Sequence, residues 1–190
     1  MEIADVAARL AAYQPRRLQA NGTIPAAVLV LLEPAVEGPA VVLTVRTDEV
    51  EHHKGQVSFP GGARDPEDPD PWHTALRETS EEIGVDPRDP RQLGQLDEIV
   101  TTSEFLVTPY VAALARSPYP YRPNPSEVAE VLRVPLAWLL DPRNTVWEER
   151  DYHGRRLAMP AYWWRGTRIW GATGRMLHDF LEILRSGAAA

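Results

Sequence analysis

Residues 70–84 carry a helix whose ends and faces can both be read from the sequence, and the rest of the chain has to fold around it. Asp70 is a good N-cap, Pro71 suits the first helical position, and Gly84 is a natural stop with Pro87 beyond it. At about 100° per residue, Trp72, Ala75, Leu76, Thr79 and Ile83 line up as one mostly apolar stripe made for packing on a sheet. Glu78 and Glu82 lie roughly 40° apart on the flank of that stripe, one turn from each other. Glu81 lies further round, beside its i−4 neighbour Arg77. Like charges one turn apart cost a few tenths of a kcal/mol, roughly, and the helix C-terminus is already the negative end of the dipole. A divalent cation with a taste for oxygen ligands removes both penalties. An exposed acidic helix end is the other reading of Glu-x-x-Glu-Glu taken alone.

The surrounding pattern predicts an α+β sandwich in preference to a doubly wound parallel sheet, arranged as one domain over residues 1–190. An amphipathic helix is expected at about residues 3–14, with Ile3, Val6, Ala7 and Leu10 on one face. Strands are expected at Ala26 to Leu32 and Ala40 to Val45, continuing towards Val57-Ser58-Phe59 until Pro60-Gly61-Gly62 breaks the pattern. Beyond the central helix come strands at Gln92 to Val100, Val107 to Ala115 and Val128 to Val134, then a short helix from Pro135 to Leu140. Further strands are expected around Val146 to Tyr152, Arg156 to Met159 and Tyr162 to Trp164, with a closing helix at about residues 172–184.

Charge narrows the function classes. The net charge of −7 speaks against a nucleic-acid binder. Between Gly61 and Glu104 twelve acidic residues face four arginines, so nearly all of the excess sits around the central helix. A chain without cysteine has neither disulfides nor a thiolate nucleophile. No run is long and apolar enough for a membrane span, and the first residues lack a basic n-region, which makes a cytoplasmic address the expectation.

Gly62-Ala63-Arg64-Asp65-Pro66-Glu67-Asp68, followed by Arg77-Glu78-Thr79-Ser80-Glu81-Glu82-Ile83-Gly84-Val85, resembles the Nudix box over residues 62–85. That motif runs Gly, five residues, Glu, seven residues, Arg-Glu-hydrophobic-x-Glu-Glu-x-Gly-hydrophobic. Here Asp68 stands for the first Glu, one extra residue precedes Arg77, and Thr79 fills a position usually more apolar. No precise role is expected of the shorter Asp68. Upstream, Leu43-Thr44-Val45-Arg46-Thr47 and Gly55-Gln56-Val57-Ser58-Phe59-Pro60-Gly61-Gly62 resemble the signature of the coenzyme A pyrophosphatase branch. One arginine of that signature is replaced by Glu51, with His53 and the chain's sole lysine, Lys54, close by to compensate. Lys54 is equally well read as a stray loop residue, and His52 and His53 as loop residues before metal ligands. Val107-Thr108-Pro109-Tyr110, Pro125-Ser126-Glu127-Val128 and Ile169-Trp170-Gly171-Ala172-Thr173 follow in the order the branch shows, so the likeness spans about Ala26 to Leu184.

The resemblance implies a Nudix-type α/β/α sandwich with a mixed central sheet and hydrolysis of coenzyme A to 3′,5′-ADP and 4′-phosphopantetheine, with Mg2+ or Mn2+ as cofactor. It implies metal ligation by Glu78 and Glu82, with the Gly61 carbonyl as a further ligand and Glu81 as ligand or base steadied by Arg77. Glu127 resembles a loop glutamate used as an additional ligand or base, and an exposed loop carboxylate is an equal reading. Arg46, His53, Lys54 and Gly62 are the expected substrate-binding residues. Trp170 and Gly171 are expected to pack between the last strand and the closing helix. The expected partner is a small nucleotide, with no nucleic acid and no membrane, and the chain acts as a monomer or homodimer. Two other readings stay open: a Nudix hydrolase of ADP-ribose or a dinucleotide, and a non-catalytic nucleotide-sensing module.

Overall fold

The computed structural model describes residues 1–19, 21–47, 55–152 and 155–186. Helix α1 (Ile3–Ala12) opens the chain, followed by β1 (Ile24–Glu33), β2 (Ala40–Arg46), β3 (Val57–Ser58) and β4 (Gly61–Ala63). Then come α2 (Pro71–Ile83), β5 (Arg91–Gln95), β6 (Ile99–Val100), β7 (Phe105–Ala113), β8 (Val128–Pro135) and α3 (Leu136–Leu140). A short 3-10 turn at Pro142–Asn144 leads into β9 (Thr145–Tyr152), β10 (Arg155–Trp164), β11 (Thr167–Ile169) and α4 (Gly171–Ser186).

The larger sheet is mixed. Strands β3, β2, β1, β7 and β5 lie in that order, β4 pairs with β1, β6 with β7 and β8 with β2. The β1–β7 pair is parallel, from Ile24 beside Phe105 to Leu32 beside Ala113, and the other ladders are antiparallel. Its central strand is apolar on both sides because both faces are covered. Val30 and Leu32 of β1 point into a core shared with Leu10 of α1, Leu136 and Leu139 of α3, and Leu177 and Phe180 of α4. Ala27, Leu29 and Leu31 face the other way, onto Ala75, Leu76 and Ile83 of α2. This is the expected α/β/α sandwich. Strands β9, β10 and β11 form a separate antiparallel sheet, with β10 central.

The sequence-based elements needed four corrections. Pro60-Gly61-Gly62 does not end the sheet: Gly61–Ala63 is a strand, paired with Ala26–Val28. A Cβ at Gly61 would lie 2.3 Å from the Ala27 carbonyl oxygen, so glycine is what lets the strand come that close. The run from Gln92 to Val100 is two strands, because Asp97 and Glu98 turn aside to accept the backbone N–H groups of Arg16 and Leu18. Arg156 to Met159 and Tyr162 to Trp164 are one strand: Pro160 keeps its register opposite Trp147 of β9 and lies ahead of the Tyr162–Trp164 stretch that pairs with β11, so it does not break β10. Strand β11 itself carried too short a pattern to be read. The terminal helices differ only at their ends, Ile3–Ala12 against 3–14 and Gly171–Ser186 against 172–184.

Candidate active site

Helix α2 forms where its local signals put it. The Asp70 carboxylate accepts from the His73 N–H at 3.0 Å, and Gly84 closes the helix in the left-handed conformation at φ 69°. The one polar member of its buried stripe, Thr79, is satisfied by donating to the Ala75 carbonyl at 2.6 Å. With that face fixed on the sheet, the three glutamates are left at graded depths. Glu82 is 4% exposed, Glu78 19% and Glu81 56%.

Arg77 organises the carboxylates more widely than the helical wheel suggested. Its Nη1 donates both to Glu78, at 2.9 Å, and to Glu81, at 3.1 Å, so Glu81 does not have the cation to itself. Its Nε and Nη2 each reach Asp68 at 3.0 Å, and Nη2 also donates to the Ala63 carbonyl at 3.1 Å. Asp68 therefore does have a defined role: it is the fork that aims Arg77 at the glutamates. The added hydrogen bonds hold the Asp68 carboxyl down at about 2.

On the β4 side, the Glu82 Oε2 accepts the Gly61 backbone N–H at 3.2 Å. A Cβ on Gly62 would fall 2.5 Å from the Glu78 carboxyl, so that carboxyl lies directly on the glycine backbone. Burial pushes Glu82 up to about 8, with the Glu78 and Glu127 charges adding to it, while the Gly61 N–H and Arg46 act against it. Glu78 is raised as well, chiefly by burial, against the pull of Arg77. Two carboxylates held in positions where their charges are penalised fit a hard divalent cation, which would restore both charges. Among the described residues no three acidic or imidazole groups are placed to hold a metal ion by themselves.

Glu127 reaches this centre through its loop. Asn124 donates its N–H to the Glu82 carbonyl at 2.8 Å and its side-chain amide to the Glu127 carboxylate at 3.1 Å. Thr47, at the end of β2, ties down Ser126 and Glu127 from the other side. Arg46 precedes it, half-buried, with Nε lacking a hydrogen-bond partner among the described residues. His53, Lys54 and Glu51 lie outside the described residues.

A cleft of about 440 Å³ opens beside Gly62. Arg46, Gln56 and Ser58 line it, together with Thr101 to Ser103, Phe105 and Trp170. Trp170 and Gly171 were expected to be packing, yet both border this cleft. Nothing local in the sequence could show it, because the junction of β11 and α4 meets β3 only through the fold.

The family model of the NUDIX domain matches residues 23–154. Human mitochondrial coenzyme A diphosphatase NUDT8 is 37% identical over 182 residues, covering 94% of this chain and 77% of that protein. A Nudix hydrolase of Photorhabdus laumondii, NudL, is 33% identical over 169 residues, 88% of each chain. Among solved structures, the Nudix hydrolase RenU of M. smegmatis superposes with a TM-score of 0.52 at 27% identity, over 63% of this chain and 74% of its own.

Proposed function

The chain belongs to the Nudix hydrolase family and is a pyrophosphatase, and from that premise we propose that its substrate is coenzyme A, cut to 3′,5′-ADP and 4′-phosphopantetheine with Mg2+ or Mn2+. The observation that carries the choice of substrate is the convergence of Arg46, Gln56, Ser58 and Gly62 on one cleft beside Glu78. These residues belong to the upstream segment that resembles the coenzyme A branch, and the similarity to NUDT8 supports the same choice.

Glu78 and Glu82 would hold the cation, with the Gly61 carbonyl as a further oxygen ligand. When bound, it supplies charge neutralisation on the pyrophosphate and acidity to the attacking water. The protein's own groups do the rest. Arg77 holds Glu78 and Glu81 in fixed orientation through shared Nη1 hydrogen bonds. Arg46 offers a guanidinium to a phosphate oxygen. Glu81 and Glu127 are the two carboxylates in position to act as base toward a water, Glu81 oriented by Arg77 and Glu127 by Asn124. Little covalent work is asked of the side chains, as expected when positioning and electrostatics carry phosphoryl chemistry.

Incubation of the full chain with coenzyme A or ADP-ribose, each with Mg2+ and with Mn2+, tests this directly. Release of 3′,5′-ADP at a kcat/KM well above that for AMP release from ADP-ribose is the expected result. A preference for ADP-ribose would overturn the substrate assignment and leave the pyrophosphatase intact.

A further inference from the structure

Trp170 lies between the end of β11 and the start of α4, half-buried, with the guanidiniums of Arg150 and Arg168 each 4.7 Å from its ring centroid. Glu148 ties those two arginines together. Its carboxylate accepts from Arg168 Nε at 3.0 Å and from Arg150 Nη2 at 3.1 Å, and Arg168 Nη2 bonds the same Oε2 that Arg150 uses. Squarely opposite faces of the indole would put the guanidiniums twice that 4.7 Å apart, further than one shared oxygen can bridge. Trp170 also lines the cleft, together with Phe105, Met176 and Gly62.

We propose that Trp170 is the platform on which the purine base of the substrate stacks, a specificity-determining contact that rests on reading this cleft as the coenzyme A site. A nucleotide of this kind brings two chemically different arms to the pyrophosphate: a flat aromatic base and a flexible saturated amide chain. The indole is held by Arg150 and Arg168 before any ligand arrives, so little side-chain freedom remains to be lost on binding. A flat, pre-oriented π face rewards a flat partner with stacking, which the saturated arm cannot return. Phe105 adds a second aromatic wall, and its N–H fixes the Thr101 hydroxyl at 3.1 Å on the polar rim.

The test compares the full-length wild type with Trp170→Leu and Trp170→Phe in Mg2+. For Trp170→Leu, KM for coenzyme A and calorimetric Kd for 3′,5′-ADP are expected to rise about tenfold or more, with kcat within about twofold. Affinity for 4′-phosphopantetheine stays unchanged, and Trp170→Phe recovers most of the loss. Should the leucine variant not fold, Trp170→Met keeps the bulk without the aromatic face and reads the same comparison. Unchanged 3′,5′-ADP affinity, or a loss confined to 4′-phosphopantetheine, overturns the proposal. If the wild type fails to cleave coenzyme A, the substrate reading falls by itself. The platform is then decided by AMP binding to wild type and Trp170→Leu, where equal affinities reject it.

Discussion

Asp68 and Arg77 meet as a two-point fork, Nε to Oδ1 and Nη2 to Oδ2, both at 3.0 Å. The Asp68 side chain is 7% exposed and also accepts the Asp65 N–H, so the pair fixes the loop before α2 as well as the arginine. Asp68→Asn places an amide donor against a guanidinium that can only donate. It is expected to cost about 2–3 kcal/mol and to lower kcat/KM by loosening Glu78 and Glu81. Because hydrogen bonding to Arg77 depresses the Asp68 pKa to about 2, its stabilisation is complete above the unfolded value near 4 and is lost as pH falls towards 2. Urea melts from pH 5 to 2 should show a steeper loss in the wild type than in Asp68→Asn. Parallel curves would remove the fork from the stability argument.

Gly61 and Gly62 are adjacent and forbid a side chain for different reasons. A Cβ at Gly61 meets the Ala27 carbonyl and the Val28 Cα, both backbone, and its φ is 146°. The nearest atoms to a Cβ at Gly62 are those of the Glu78 carboxyl, the far end of a flexible side chain. Gly61→Ala is therefore expected to lower Tm by roughly 5–10 °C. Gly62→Ala should change Tm by about 2 °C at most, because Glu78 can swing away, while kcat/KM falls about tenfold or more. Thermal melts beside kinetics separate the two, and equal destabilisation would show that Glu78 is not free to yield.

What the sequence revealed and what it hid divides by distance along the chain. Helix α2 was legible to the residue because its cap, its stop and its period all lie within residues 70–84. An α+β sandwich followed from the order of elements, strands in the middle with helices at both ends and one between, and its α/β/α form from the family resemblance. Strand β4 was hidden because two glycines in a row read as a turn, when here they allow two backbones to touch. Asp68 was hidden because the extra residue and shorter side chain blurred the motif, although the acid was still placed to reach Arg77. Trp170 was hidden for a tertiary reason, being brought to the cleft at the end of β11, more than a hundred residues beyond Gly62. A buried Glu82 beside an arginine-held Glu81 also needed the sheet, since a wheel gives direction and not depth.

Glu33 ends β1 with a carboxylate that is 1% exposed. It accepts from the Ser117 hydroxyl at 2.9 Å, the Tyr119 N–H at 3.1 Å and the Tyr121 hydroxyl at 2.8 Å. The segment it anchors runs on to Arg122 and Asn124, whose N–H groups bond the Ile83 and Glu82 carbonyls at the end of α2. Glu33→Gln puts a donor among donors and is expected to destabilise by about 2–3 kcal/mol. Hydrogen exchange should quicken at the Arg122 and Asn124 amides, next to Glu127, more than in α1. Unaltered protection there would confine Glu33 to a local structural role.

Glu82 supplies the sharpest pH signature. With divalent ions chelated, burial keeps its pKa at about 8, far above the value near 4.5 of a free glutamate. The folded chain then holds a proton that the unfolded chain gives up, so stability falls as pH rises from about 4.5 to 8 and levels off beyond. The loss is on the order of 3–5 kcal/mol, and the raised Glu78 adds to it in the same direction. Glu82→Gln removes most of that slope, so the variant should melt above the chelated wild type at pH 8 and close to it at pH 5. Mg2+ at pH 8 should raise the wild-type Tm, by mass action on the folded form, and leave Glu82→Gln nearly where it was. A wild type whose chelated stability does not change between pH 5 and 8 would show that Glu82 keeps its charge unaided, and the case for a cation drawn from its burial would go with it.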